Sequence, residues 1–113
     1  MATATYNGAA LTLGTAIADI YQAPTTAGNV GLITDLRLSN SDGTNSATVQ
    51  LVKTSSANTI LAYIVAKNIA LPAATSLVVV QGGLLVLKAG EKIRGLASVA
   101  TTVDVNISVR EEV

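Results

Sequence analysis

Histidine, cysteine, phenylalanine and tryptophan are all missing from these 113 residues, proline occurs twice, and charged residues make up only 12%. Without histidine there is no imidazole general base, no imidazole metal ligand and no Ser-His or Cys-His nucleophile pair. Without cysteine there is no disulfide, thiolate metal site or thiol nucleophile, and nothing to indicate a redox compartment. The seven Lys and Arg balance the seven Asp and Glu. Phosphate binding needs clustered cations, and single strands also want aromatic stacking platforms, so nucleic acid is not an expected partner. The charged share is about half of the roughly 25% usual in soluble domains. A neutral surface of Thr, Ser, Asn and Ala offers little colloidal repulsion and favours association.

The first residues, MATATYNGAALTLG, lack the basic and continuous apolar regions of a signal peptide, so export by that route is not expected. The uncharged stretch NIALPAATSLVVVQGGLLVL, residues 68 to 87, is long enough to cross a bilayer. However, Asn68, Pro72, Thr75, Ser76, Gln81 and the Gly82-Gly83 pair cut it into pieces the length of buried strands, and no membrane partner is expected.

What is present in quantity is Val, Leu, Ile and Ala, arranged with a period of two. In VDVNISVR, residues 103 to 110, Val103, Val105, Ile107 and Val109 alternate with Asp104, Asn106, Ser108 and Arg110, as in a half-buried strand. LITDLRLS, residues 32 to 39, predicts Leu32, Leu36 and Leu38 on one face with Thr34, against Asp35, Arg37 and Ser39 beside Ile33. ATVQLVK (47 to 53) and TAIADIYQA (15 to 23) also read as strands, and so does ILAYIVAKNIAL (60 to 71) on its β-branched content. Between these runs lie PTTAGN, NSDGTNS, KTSSAN, LPAATS, QGG and KAGE, all turn-forming clusters. Seven to eight strands of roughly 12 residues each with its turn fit the chain, predicting one all-β, antiparallel sandwich domain over residues 11–113. Residues 1–10 carry no core pattern and read either as an arm held by a neighbouring subunit or as a short first strand through TATY.

Residues able to do chemistry are few. The carboxylates are Asp19, Asp35, Asp42, Asp104, Glu91, Glu111 and Glu112, and two of them could in principle form an acid/base pair. The pattern instead sets Asp35 and Asp104 on outward strand faces, as solvated surface. NSDGTNS resembles a calcium loop in composition only, since alternate ligands and a closing Glu are lacking, and Asp42-Gly43 reads as a hairpin turn. Asn106-Ile107-Ser108 matches a glycosylation sequon, but in mid-strand. No phosphate-binding glycine loop occurs. No catalytic, metal or cofactor site is expected.

LLVLKAGEKIRG, residues 84 to 95, gathers four of the fourteen charges, at Lys88, Glu91, Lys92 and Arg94. Either Leu85 and Leu87 or Leu84 and Val86 face inward, Ala89-Gly90 makes a tight connection, and Ile93 enters the next strand. The charges then surround a solvated turn, with an anion site as the alternative.

Taken in order, IADIYQAP, GLITDLRLSNSDGTNSATVQLVK, LLVLKAGEKIRGLAS and VDVNISVREEV resemble small β-sandwich structural proteins of tailed bacteriophage virions, including capsid decoration or cement proteins. That resemblance implies a jelly-roll-like fold, a homo-oligomer such as a trimer, the major capsid protein as partner, no catalytic residues, and a place in the virion after synthesis in the host cytoplasm. Met1, Ala2, Thr3, Ala4, Thr5, Tyr6 and Asn7 are the expected subunit or capsid contacts, with Tyr6 as anchor. The alternatives are a tail, baseplate or fibre-tip module, for which three scattered tyrosines are a poor sugar-binding supply, and a small β-barrel enzyme using a carboxylate pair.

Overall fold

The clean alternation at 103–110 forms the centre of the molecule. In the computed structural model, which describes residues 4–65 and 68–112, strand β9 (Val103–Glu112) buries Val103, Val105, Ile107 and Val109. It lies between β1 (Ala4–Thr12) and β3 (Val30–Asn40), and β7 (Ser76–Lys88) completes a four-stranded antiparallel sheet in the order β1-β9-β3-β7. The second sheet runs β2 (Ala18–Gln22), β8 (Lys92–Ala97), β4 (Ala47–Thr54), then β5 (Ile60–Tyr63). Strand β6 (Ile69–Leu71) also pairs with β4, on residues 47–49, whereas β5 takes residues 52–54. ILAYIVAKNIAL is therefore one interrupted edge, and among the described residues nine strands occupy eight lanes.

Each strand of the first half pairs with its mirror in the second: β1 with β9, β2 with β8, β3 with β7, and β4 with β5 and β6. The chain is a long hairpin, tipped at residues 55–59, that has been rolled so that β9 meets β3 and β8 meets β4. That is a jelly roll. The ladder continues around the corners where the paired strands change sheet together. Leu13 N–H donates to Val103 (2.8 Å) and Ala97 N–H to Gly14 (2.9 Å) at one corner; Ala23 N–H donates to Glu91 (2.9 Å) and Gly90 N–H to Pro24 (3.0 Å) at the next. At the third, Asn40 N–H donates to Thr75 (2.9 Å) and Ala74 N–H to Asp42 (2.8 Å). Backbone groups that leave a sheet must still find partners, and doubling each corner supplies them.

The core is aliphatic, as the composition requires: Leu36, Leu38, Val49, Leu51, Leu87, Ile93 and Val105 are fully enclosed. One expectation fails locally. Ile33 is buried and Leu32 only half-buried, the reverse of the uninterrupted alternation. Ile33 pairs with Val109 and Asp35 with Ser108, so Thr34 is an extra residue on β3 and the side-chain faces exchange there. The Thr34 hydroxyl donates to the Ser108 carbonyl across this bulge (3.2 Å).

Asp42-Gly43 is a turn but not a hairpin. It joins β3 and β4, which belong to different sheets, and Gly43 is not among the positive-φ glycines that a two-residue hairpin of this type needs. Instead Asp42 Oδ1 accepts from the amides of Thr44 (2.8 Å) and Asn45 (3.1 Å). Among the described residues no helix is long and apolar enough to cross a membrane; residues 69–87 run as β6, a corner and β7.

Candidate functional site: assembly surfaces

The charged stretch forms the corner from β7 to β8. Leu87 is buried and Leu85 half-buried while Val86 points out, which decides the inward set. Gly90 takes φ 78°, a conformation suited to glycine, and Glu91 N–H closes the turn on the Lys88 carbonyl (3.0 Å). Glu91 Oε1 accepts from Lys88 N–H (2.8 Å) and lies 3.4 Å from Lys53 Nζ. Lys92 and Arg94 are less exposed than a solvated turn implies, because both lean on Asp19 of β2. Lys92 Nζ is 3.2 Å from Asp19 Oδ2, and Arg94 Nε is 2.6 Å from Oδ1. Lys92 also donates to Asn58 Oδ1 (3.1 Å). Partial burial by itself would raise the Asp19 pKa, but the hydrogen bonds and charges of Arg94 and Lys92 together hold it below its ordinary 3.8. One carboxylate far away in sequence thus offsets part of the charge of both cations, which weakens the anion-site alternative.

The outward carboxylates do not converge. Asp35 aligns with Ser108 and Asp104 with Ser39, four ladder steps away, or about 13 Å along the sheet. A glycosidase pair sits within roughly 5–9.5 Å. Asp104 Oδ1 instead accepts from the Thr12 hydroxyl (2.7 Å), and Glu112 lies 3.3 Å from Arg110. Asp35 sits in a shallow trough of about 370 Å³ on the outer face of the first sheet, lined by Gly8, Ala10, Asn106, Ile107 and Ser108, with its Oδ1 buried and without a hydrogen-bond partner. A smaller hollow beside it shares Ala10 and Asn106. Asn106 of the sequon is exposed on this face, but Ile107 is core. Among the described residues no three His, Cys, Asp or Glu side chains gather to hold a metal.

The remaining surfaces are the sheet edges. Of the expected contact residues, Met1, Ala2 and Thr3 lie outside the described residues, while Ala4, Thr5, Tyr6 and Asn7 begin β1, the outermost strand of the first sheet. Its nine residues pair with β9 without a register shift and carry no charge. At the opposite edge of the first sheet lies β7, and β5 and β6 form an edge of the second. Most of the exposed large apolar side chains lie on these two edges, Ile60, Leu61 and Tyr63 on β5 and Val78 and Val86 on β7, with Leu61 the most open at 50%, while Val99 lies in the β8–β9 connection. The alternation in the sequence does not mark these positions, because edge strands lose the pairing that buries one of their sides.

No protein-family model and no curated protein sequence matches the chain. Among solved structures, a chain from Bacillus endospore appendages, described as a novel family of disulfide-linked pili, superposes with a TM-score of 0.56 at 15% identity, covering 97% of this chain and 88% of that one. A chain of the T13 IBDV viral particle gives a TM-score of 0.53 at 8% identity, covering 97% of this chain and 31% of the viral one, of which the present chain therefore spans about a third. A chain of the cyanophage Pam1 capsid asymmetric unit overlaps more loosely, with a TM-score of 0.41 at 14% identity over 99% of this chain and 84% of that one. At such identities the likeness is one of fold: this chain has a β-sandwich like those of the pilus and viral-particle chains.

Proposed function

We propose that the chain is a non-enzymatic structural protein of a tailed-phage virion, a decoration or cement protein that seats on the major capsid protein of the assembled head and strengthens it. The observation that carries this reading is the surface. A charge-poor jelly roll exposes large apolar side chains on its edge strands β5 and β7, and among its described residues no three His, Cys, Asp or Glu side chains gather to hold a metal. Large apolar side chains left exposed on sheet edges are candidates for a contact surface. The TM-scores above 0.5 to chains from a pilus and a viral particle support the same reading, both being assemblies of many copies. These 113 residues contain no cysteine, so the disulfide linkage named for the pilus protein is not open to them.

In this reading the β5 and β7 edges pack around the axis of a cyclic homo-oligomer, a trimer, and Met1 to Asn7 reach a neighbouring subunit or the capsid. Binding only the assembled shell stabilises it by mass action, about 2.7 kcal/mol per site at a hundredfold excess over Kd. The test is heat and low-salt challenge of heads with and without the protein. Heads lacking it break first if the reading holds; equal survival removes the cement role. The outer-face trough, with Asp35, Asn106 and Ser108 offering polar groups to a ligand, then favours the second reading, a tail or fibre-tip module that binds the host surface.

A further inference from the structure

A jelly roll of two open sheets has four edges, and an open edge invites another strand unless something blunts it. Three edges here carry a blunting device. The β2 edge bears Asp19 with its Arg94 and Lys92 partners and a register shift between Asp19 and Tyr21. The β7 edge is broken twice, opposite the Thr34 bulge and again where Leu36 pairs with Val80 but Arg37 with Val78. The β5/β6 edge is interrupted between its two pieces and bulged at Leu61, since Lys53 pairs with Ala62 and Thr54 with Ile60. The β1 edge carries none of these: nine residues, ATYNGAALT, without charge, proline or register shift.

We propose that β1 is an assembly edge, and that it pairs antiparallel with β1 of a second copy about a two-fold axis. The occupant follows from the other edges. A flat, uncharged edge about 30 Å long needs an equally flat and uncharged strand, and the one such edge a second copy offers among its described residues is its own β1. Like pairing with like is an isologous contact, and it closes on itself rather than growing. Strand addition would join two four-stranded sheets into one continuous sheet of eight and satisfy about eight outward backbone groups as ladder hydrogen bonds. Of the outward residues on this strand, Gly8 and Ala10 are exposed and small. This inference rests on the assembly role proposed above and extends it: the apolar edges join subunits around one axis, and β1 links those groups pairwise.

The test is solution mass by light scattering on the full chain, alongside Ala10→Lys and Ala10→Asp. Each places a charge on the exposed face of the edge strand, clear of the core. Wild type should show an even number of 11.4 kDa subunits, and both variants should halve that mass with an unchanged circular dichroism spectrum. As a readout that needs no variant, β1 amides of the wild type should be slow to exchange in the oligomer and fast after dilution to the dissociated form. A variant mass equal to wild type overturns the proposal. So does a wild type that remains at 11.4 kDa with β1 amides protected only when heads are added, which would give the edge to a strand of the shell protein. Head survival is measured separately, so the cement role can fail while the paired edge stands, and the reverse.

Discussion

The hydroxyl of Tyr21, on β2 of one sheet, donates a hydrogen bond to Oε2 of Glu111, on β9 of the other. It can do so because residue 31 is glycine: a Cβ there would come within 2.9 Å of the Tyr21 hydroxyl and 3.1 Å of its ring. Gly31 pairs directly with Glu111 in the β3–β9 ladder, so the tyrosine crosses β3 at its one side-chain-free point to reach the carboxylate. Burial, then the Glu111 hydrogen bond and charge, push the Tyr21 pKa well above its ordinary 10.0.

Tyr21→Phe should therefore cost about 1.5 kcal/mol, the range for a hydrogen bond to a charged group. The pH dependence follows from the raised folded-state value. The stability linked to this proton is fully present below pH 10.0 and declines as pH rises above it. Urea midpoints taken across the alkaline range should fall for wild type and fall less for the variant; parallel curves would contradict the clasp.

Asn40 is buried at the corner between β3 and β4. Its Nδ2 lies within hydrogen-bonding distance of the carbonyls of Asn45 (3.0 Å), Leu71 (3.2 Å) and Pro72 (3.4 Å), and its Oδ1 accepts from Asp42 N–H (3.0 Å). Asn40→Ala leaves those backbone groups without a partner and should cost about 2–3 kcal/mol. Asn40→Asp should be no better, since a carboxylate cannot donate to carbonyls. Denaturant unfolding of the two variants checks both statements.

Gly95 on β8 faces the core so closely that a Cβ would meet Leu51 Cδ2 at 2.7 Å, the Gln50 carbonyl at 2.9 Å and Ile20 Cδ1 at 3.0 Å. The leucine and isoleucine tips can turn aside, but the carbonyl belongs to the β4 ladder. Gly95→Ala should destabilise by about 2 kcal/mol, seen as a lower urea midpoint with an unchanged slope.

The Asp19 and Asp42 carboxylates are both held below 3.8, Asp19 by Arg94 and Lys92 against partial burial, Asp42 by the Thr44 and Asn45 amides. Depressed folded values mean stability that is present above pH 3.8 and is lost as pH falls through the lower values of the folded state. Asp19→Asn should flatten the acid limb of a plot of Tm against pH. At neutral pH its effect should stay within about 1 kcal/mol, because Asp19 is half-exposed.

The sequence is most legible where one face of a strand is buried along its whole length. Val103 to Val109 alternate without a break because β9 is flanked on both sides and never bulges on its own account. Val49 and Leu51 are legible for the same reason. Thr34 is not, since an inserted residue exchanges the two faces without altering the local composition. The turn at Asp42 is visible in its residue types, but a turn does not say whether the strands it joins share a sheet. The pairing of Asp19 with Arg94 and of Tyr21 with Glu111 depends on residues 75 and 90 positions apart, brought together by the roll of the hairpin. The edges are hardest of all, because the features that leave β1 open are things it lacks.

The placement of β9 between β1 and β3 sets the order in which the chain can mature. Until residues 103–112 have emerged, β1 has no partner and β3 has only β7. The first sheet therefore closes last, by insertion of the segment farthest from β1 in sequence. Nearly all of its ladder is non-local, which makes for slow folding. If that central strand is still missing from the transition state, its contacts resist unfolding without hastening folding, and the finished domain is long-lived once formed.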